Sequence, residues 1–343
     1  MMLVRLLTVM GTLTAGLMTA VLLALWVGTV RIGAVQIMGI LLGKLVSIPV
    51  SWSEAHETIV LSVRLPRALL AGTVGSALAL AGAGFQAISR NPLADPYVLG
   101  VSSGAAFGVV MGILTGLGAG TGGVLLLPLF GFAGALVAAV AVYGIASVDG
   151  RLPIQTLLLA GVVVSLFFAS AIMLASALVR AEELQRVVFY LMGHLRAVSY
   201  PTIGAVIGCV LMGATLIYAQ AVPLNLLSAG EEAAAQLGVE PERVKRIIFL
   251  ACSLVTGAAV SASGAVGFVG LMVPHAVRLC LGPDNRLAIP ASLLAGAIFL
   301  ILADMVARTV AAPTEIPVGA VTAFLGAPFF AVLLRTRYRS VYP

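Results

Sequence analysis

Ten apolar runs of about 17 to 25 residues, each closed by polar or Pro/Gly punctuation, constrain this chain more than any other feature. They lie near 6–30, 66–88, 98–117, 123–146, 154–179, 201–222, 247–263, 265–281, 288–306 and 317–334. Runs of that length suit helices that cross a bilayer, where every backbone polar group must be satisfied within the segment. With 61% hydrophobic and 9% charged residues and a mean hydropathy of +1.15, no globule could bury the apolar surface. The expectation is one all-α polytopic membrane domain over residues 1–343. The eighth run is short and Gly-rich, so nine spans is the alternative count. The first run, Leu6 to Val30, has the length of a full span and no clear small-x-small cleavage site, so it reads as a transmembrane helix and not a secretory signal.

An even number of spans puts both termini on one side. With both termini inside, eleven Lys/Arg residues fall on inner segments and eight on outer ones, the latter including Lys44 and Arg196, and the basic tail Arg335, Arg337, Arg339 adds to the inward bias. The net charge of +6 therefore reflects topology. The basic residues are dispersed among spans and form no patch interleaved with aromatics, which argues against nucleic-acid binding. Cys209, Cys252 and Cys280 are far apart in or beside apolar runs and read as packing residues, not a disulfide framework or a metal site.

Glycine clusters such as Gly72, Gly75, Gly82, Gly84 let helix backbones approach closely in lipid. Asn91-Pro92 and Asp95-Pro96 cannot continue a helix, which points to a broken helix surrounded by protein or a water-filled path. Arg64-Leu-Pro-Arg67 before the second run is echoed by Arg243-Val-Lys-Arg246 before the seventh. Five spans separate them, so the two halves would have inverted topology. Two phosphate-loop look-alikes fail: Gly118-Ala-Gly120-Thr-Gly122-Gly123 follows no strand, and Gly39 to Leu45 has the wrong spacing. The chain has no ATP site of its own on this reading.

Four stretches stand out as a set: Arg64 to Gly108, with its Asn-Pro-Leu-Ala-Asp-Pro turn; Gly264 to Arg286, with Pro274-His275 and Arg278; Glu315-Ile-Pro-Val-Gly319; and Leu325-Gly-Ala-Pro-Phe-Phe330. Together they resemble the FecCD-type permease subunits of ATP-driven importers for ferric siderophores, haem and cobalamin, over Arg64 to Leu334. The resemblance implies a homodimer around a central path in a bacterial or archaeal cytoplasmic membrane. It further implies a separate cytoplasmic ATPase dimer that holds ATP and Mg, and an extracytoplasmic binding protein that delivers a metal chelate. The chain itself would bind no cofactor or metal and would catalyse nothing.

Residue roles follow the same resemblance. Arg64, Arg67 and Arg308 match arginines that meet acidic residues of the binding protein, and guanidinium groups do recognise carboxylates bidentately; interfacial snorkelling is the plainer alternative, and Asp304 could compete for Arg308 from four residues away. Residues 228–240 look like a coupling helix. Glu231 and Glu232 would sit at its N-terminus, where the macrodipole favours acids, Ala233 and Ala234 would give a small-residue face, and Gly238 would stop it in left-handed backbone. An ordinary capped loop helix is the alternative. Ile154, Gln155 and Thr156 fall where the family has a cytoplasmic gate, and Ile154 and Gln155 replace the small hydroxyl residues of cobalamin permeases. Asn91, Pro92, His275 and Arg278 read as cytoplasmic-side positions that brace a loop or meet the ATPase. His194, in an outer segment, is conceivable as a haem contact, against a solvated or capping role.

A ferric siderophore is the first expectation for cargo, from its frequency in the family, with haem and cobalamin next. An ion-coupled transporter or channel is the rival class. It would need intramembrane acids, whereas Asp95, Asp304 and Glu315 fall near span ends or turns. An intramembrane enzyme lacks HExxH or a Ser/His arrangement.

Overall fold

The computed structural model describes the backbone of residues 2–43, 52–116, 123–195 and 199–341, and the side chains within them apart from 123–125 and 333–341. Lys44, Gly118 to Gly122 and Arg196 lie outside these residues, as do the side chains of Arg335, Arg337 and Arg339. In chain order the helices are α1 (Met2–Trp26), α2 (Ala34–Gly43), α3 (Glu54–Thr58), α4 (Leu65–Ser89), α5 (Val101–Leu114), α6 (Gly123–Ala146), α7 (Ile154–Ala177) and α8 (Ala181–Leu191). They continue as α9 (Tyr200–Ala219), α10 (Ala221–Ser228), α11 (Glu231–Gln236), α12 (Pro241–Ser263), α13 (Val269–Leu281), α14 (Asn285–Thr309) and α15 (Val318–Val341). Among the described residues there is no strand, only a bridge between Val148 and Arg151.

All ten apolar runs contain a helix, and among the described residues seven helices are long and apolar enough to cross a membrane. Of the other three runs, two form the shorter apolar helices α5 and α13, and the third lies in α15. The eighth run is α13, whose 13 residues rise only about 20 Å at 1.5 Å per residue, short of the roughly 30 Å hydrocarbon core. The irregular stretch from Gly264 to Phe268 covers the rest. Four further helices besides the 228–240 segment, α2, α3, α8 and α10, have no counterpart among the ten runs.

Helix α4 is the axis of the bundle. Of its apolar window 89% is buried, against 6% for α1 at the periphery. It continues from α3 through a wider-wound stretch, Ile59–Arg64. Pro66 explains the widening, because its ring clashes with the carbonyl one turn back and it offers no N–H to bond. Two glycine contacts seat α4 among its neighbours: a Cβ on Gly75 would overlap the Gly296 carbonyl of α14, and one on Gly82 would overlap the Gly270 carbonyl of α13. Without a side chain, backbone meets backbone. Late α4 lies beside early α12, with Gly84 against Ile248 and Cys252. These two helices, which begin the echoed halves, therefore run in opposite directions, as inverted topology requires. Cys252 is buried there, Cys209 is half-buried, and Cys280 is exposed, so packing accounts for two of the three cysteines but not the third.

Between α4 and α5 the chain turns through Arg90–Gly100. Asn91 Oδ1 accepts from Leu93 N at 3.0 Å and Asp95 Oδ1 from Tyr97 N at 2.9 Å, two local turns that satisfy backbone a helix would have used. Pro96 packs on Gly270 of α13, and the Val98–Leu99 backbone on Gly161 of α7. Ala94, Pro96, Leu99 and Gly100 are buried while Asn91, Leu93 and Val98 are exposed, so protein encloses part of the irregular backbone, the condition under which a membrane domain tolerates it.

Candidate functional site

The residues singled out from the sequence divide between the two ends of the bundle. At the end where α1 begins, four segments converge. Arg5 of α1 donates to the Leu281 carbonyl at 2.8 Å. Asn225 of α10 donates to Asp284 Oδ1 at 2.7 Å and accepts from the Asn285 backbone at 2.9 Å. Asp284 caps α14 and also holds Arg286, with Nη2 to Oδ2 at 2.7 Å. These bonds, chiefly those from Arg286 and then Asn225, hold the Asp284 carboxyl down at about 2, well below its usual range.

Helix α11 sits on this end, opened by Gly230 (φ +124°) and closed at Leu237, after which Gly238 takes a left-handed φ of +83°. Ala234 is buried beneath it, while Glu232 and Gln236 are exposed and Leu237 is 68% exposed. Lys245 of α12 ties the helix down, its Nζ 3.2 Å from Glu231 and 2.5 Å from Glu242. Glu242 also accepts from Leu152 N at 2.6 Å, and Arg246 donates to the Gly150 carbonyl at 3.1 Å. The loop that launches α7 is therefore lashed to the α11–α12 corner. Ile154 and Thr156 are half-buried and Gln155 is exposed at the first turn of α7.

Asn91, Pro92, His275 and Arg278, far apart in the chain, line one cleft of about 380 Å³ with Gln86, Arg90 and others. Arg278 reaches from α13 to α4, donating to Gln86 Oε1 at 2.6 Å and to the Ala83 carbonyl at 2.9 Å. His275 is buried, its ring 6.3 Å from that of Phe330.

At the opposite end stand Arg64, Arg67 and Arg308. Arg64 is buried and donates to the carbonyls of Leu25 (2.6 Å), Trp26 and Val30, capping the end of α1. Arg308 is 9% exposed, bonds the Ala24 carbonyl and lies 3.9 Å from Asp304, the i,i+4 pairing read from the sequence. Neither guanidinium faces outward. Arg67, its side chain 12% exposed, clasps Asp304 with Nε and Nη2 and Glu315 with Nη1. Glu315, 58% exposed at its side chain, is a member of this cluster that the sequence reading did not assign to the site. Its place in Glu-Ile-Pro-Val-Gly, just before the last span, was the available signal. His194 donates its backbone N–H to the Ser263 carbonyl at 2.8 Å, with its ring edge-on to Tyr190.

The chain matches the model of the FecCD transport family over residues 16–336. It is 46% identical over 83% of its length to the cobalamin import system permease protein BtuC of Halobacterium salinarum, covering 75% of that protein. To the vitamin B12 import system permease protein BtuC of Salmonella typhi it is 39% identical, over 83% of this chain and 86% of that one. A solved structure described as an inward-facing metal-chelate type ABC transporter superposes with a TM-score of 0.79 at 30% identity, covering 96% of this chain and 99% of the other. The helical membrane bundle, its paired motifs and these likenesses agree: the chain belongs to the FecCD transport family, the permease subunits of ABC importers.

Proposed function

We propose that this permease moves a bulky metal chelate inward, with cobalamin as the foremost cargo and ferric siderophores and haem behind it. The observation that carries the reading is the 46% identity to a cobalamin permease across 83% of the chain. It reverses the order expected from the sequence, where a ferric siderophore came first on frequency alone. Two copies of the chain enclose the path in the cytoplasmic membrane, with both termini inside. A separate ATPase dimer supplies ATP and Mg.

On this reading the Met2 end faces the ATPase. Helix α11 is the coupling element, because a short helix with exposed Glu232, Gln236 and Leu237 above a buried Ala234 offers a small protrusion that a groove can grip. Its tether through Lys245 and Glu242 to the loop before α7 gives a mechanical route from the docked helix to Ile154, Gln155 and Thr156, the inner gate. Binding energy that favours one position of α11 thereby shifts the population of open and closed gates. Asn91, Pro92, His275 and Arg278 brace the same inner face. At the other end, a binding protein addresses the Arg67–Glu315 cluster, whose exposed arm is Glu315, while Arg64 and Arg308 hold the scaffold beside it.

The test is uptake into proteoliposomes carrying this chain with its ATPase and binding protein, offered labelled cobalamin, ferric siderophore and haem with and without internal ATP. ATP-dependent accumulation of cobalamin is the expected result. Accumulation of a different chelate would replace the cargo, and gradient-driven uptake without ATP would overturn the importer reading.

A further inference from the structure

The cleft at the Met2 end holds more positive charge than its own lining balances. Arg278 makes three hydrogen bonds, to Gln86 Oε1, the Ala83 carbonyl and Asn285 Oδ1 (3.4 Å), and every acceptor is neutral. A guanidinium has five N–H groups, so Nε–H and one Nη1–H remain. Arg90, exposed on the same cleft, has no hydrogen bond or ion pair among the described residues. Of the acids outside the lining, Asp284 is paired with Arg286 and accepts from Asn225, while Asp95 accepts from the Tyr97 backbone N–H. The lining holds no acid of its own, and the ends of α4 and α13 offset about half a charge each, so within the lining the two guanidinium groups are about half balanced.

The cleft is also built. Gln86 is fixed by donating to the Gly270 and Leu271 carbonyls at 3.3 and 3.0 Å, so its Oε1 is aimed at Arg278. Asn285 is fixed through Asn225 at 3.0 Å. Arg278 is held in one pose by partners that are themselves held, while its remaining donors stay unspent. One edge of the cleft is apolar: Leu279 lines it and is 61% exposed, and Leu93, next in the chain to Pro92 of the lining, is 42% exposed.

We propose that this cleft binds the phosphate of an anionic phospholipid, seated between Arg278 and Arg90 with its acyl chains along Leu279 and Leu93. A cationic recess at the end of membrane helices with an apolar edge matches an amphiphile in both its parts. A carboxylate from a partner protein would use the charge and leave the edge unexplained. The inference does not depend on which cargo the permease carries.

The test is native mass spectrometry of the detergent-purified permease–ATPase complex exchanged into phosphatidylglycerol or phosphatidylcholine, for the wild-type chain, Arg90→Ala and Arg278→Gln. The expected result is retained phosphatidylglycerol but not phosphatidylcholine, with retention falling about tenfold in each variant, the effect of one charge-assisted hydrogen bond. Arg90 is exposed, so R90A should keep the wild-type thermal midpoint and stands as the test if R278Q fails to fold. Equal retention of the two lipids, or retention unchanged in R90A, would overturn the proposal. So would binding of inorganic phosphate at this site with no lipid retained. Loss of the ATPase from R90A with lipid retention intact would assign the cleft to a partner carboxylate instead.

Discussion

Arg67 and Asp304 form a bidentate pair across the α4–α14 contact, with Nε at 3.0 Å from both carboxylate oxygens and Nη2 at 2.9 Å from Oδ1. The Asp304 side chain is only 4% exposed, so the pair locks two central helices where water cannot substitute for either partner. Removing one partner of a buried pair costs about 3–5 kcal/mol where the other is left uncompensated, and less here, because Arg308 still lies 3.9 Å from Asp304. Arg67→Ala should therefore lower the thermal midpoint of the purified protein. Glu315→Gln, acting on the exposed arm of the same cluster, should cost no more than about 1 kcal/mol. Equal effects of the two would refute this division.

The glycine at the crossing of α4 and α13 is expected to be intolerant. Gly82→Ala forces a methyl into the Gly270 carbonyl, an overpacking worth about 1–3 kcal/mol or more. Gly208→Ala on α9, where nothing lies within 4 Å, should be neutral. Detergent-resistant yield and unfolding temperature of the two variants would separate them.

Leu237 is the apolar residue that α11 leaves most exposed. If α11 docks into the ATPase, Leu237→Asp should release the ATPase during co-purification while leaving the unfolding temperature of the permease unchanged. A complex that survives this change would count against α11 as the coupling element.

Acid sensitivity should report on Asp284. Its folded carboxyl titrates at about 2, below the ordinary 3.8. A depressed carboxyl stabilises the folded state above its unfolded value and loses that contribution as pH falls from about 4 towards 2. The Asp284→Asn variant should show a flatter dependence of unfolding temperature on pH in that window. An identical slope in both proteins would show that the carboxyl contributes nothing to folding there.

Much of the architecture was legible because lipid leaves a chain few choices. Each of the ten apolar runs contains a helix, the Asn91-Pro92 turn broke where proline demanded, and Gly238 took the left-handed φ that ends α11. Short amphipathic elements were not legible. Helix α8 carries Glu182, Glu183 and Arg186 on an exposed face and buries Val187 and Tyr190, and that mixture reads as loop when the search is for unbroken apolar runs. The length of α13 was hidden for the opposite reason. Gly264 to Phe268 is apolar enough to pass as helix, and only its packing against Tyr190, Gly193 and Gly326 shows that it is not.

The sequence by itself determined that this protein is a helical membrane bundle of the FecCD type, because hydropathy period, helix-stopping turns and motif residues are local properties. The tertiary structure alone decided which charges are spent. Arg64, Arg67 and Arg308 look alike in sequence, yet two bond carbonyls at the end of α1 and one is spent on Asp304 and Glu315. Asn91, Pro92, His275 and Arg278 meet in a single cleft although nearly 190 positions separate the first from the last. Ion pairs and clefts depend on where helices cross, and the crossings are set by backbone contacts such as Gly75 on Gly296 and Gly82 on Gly270, whose partners no local pattern names.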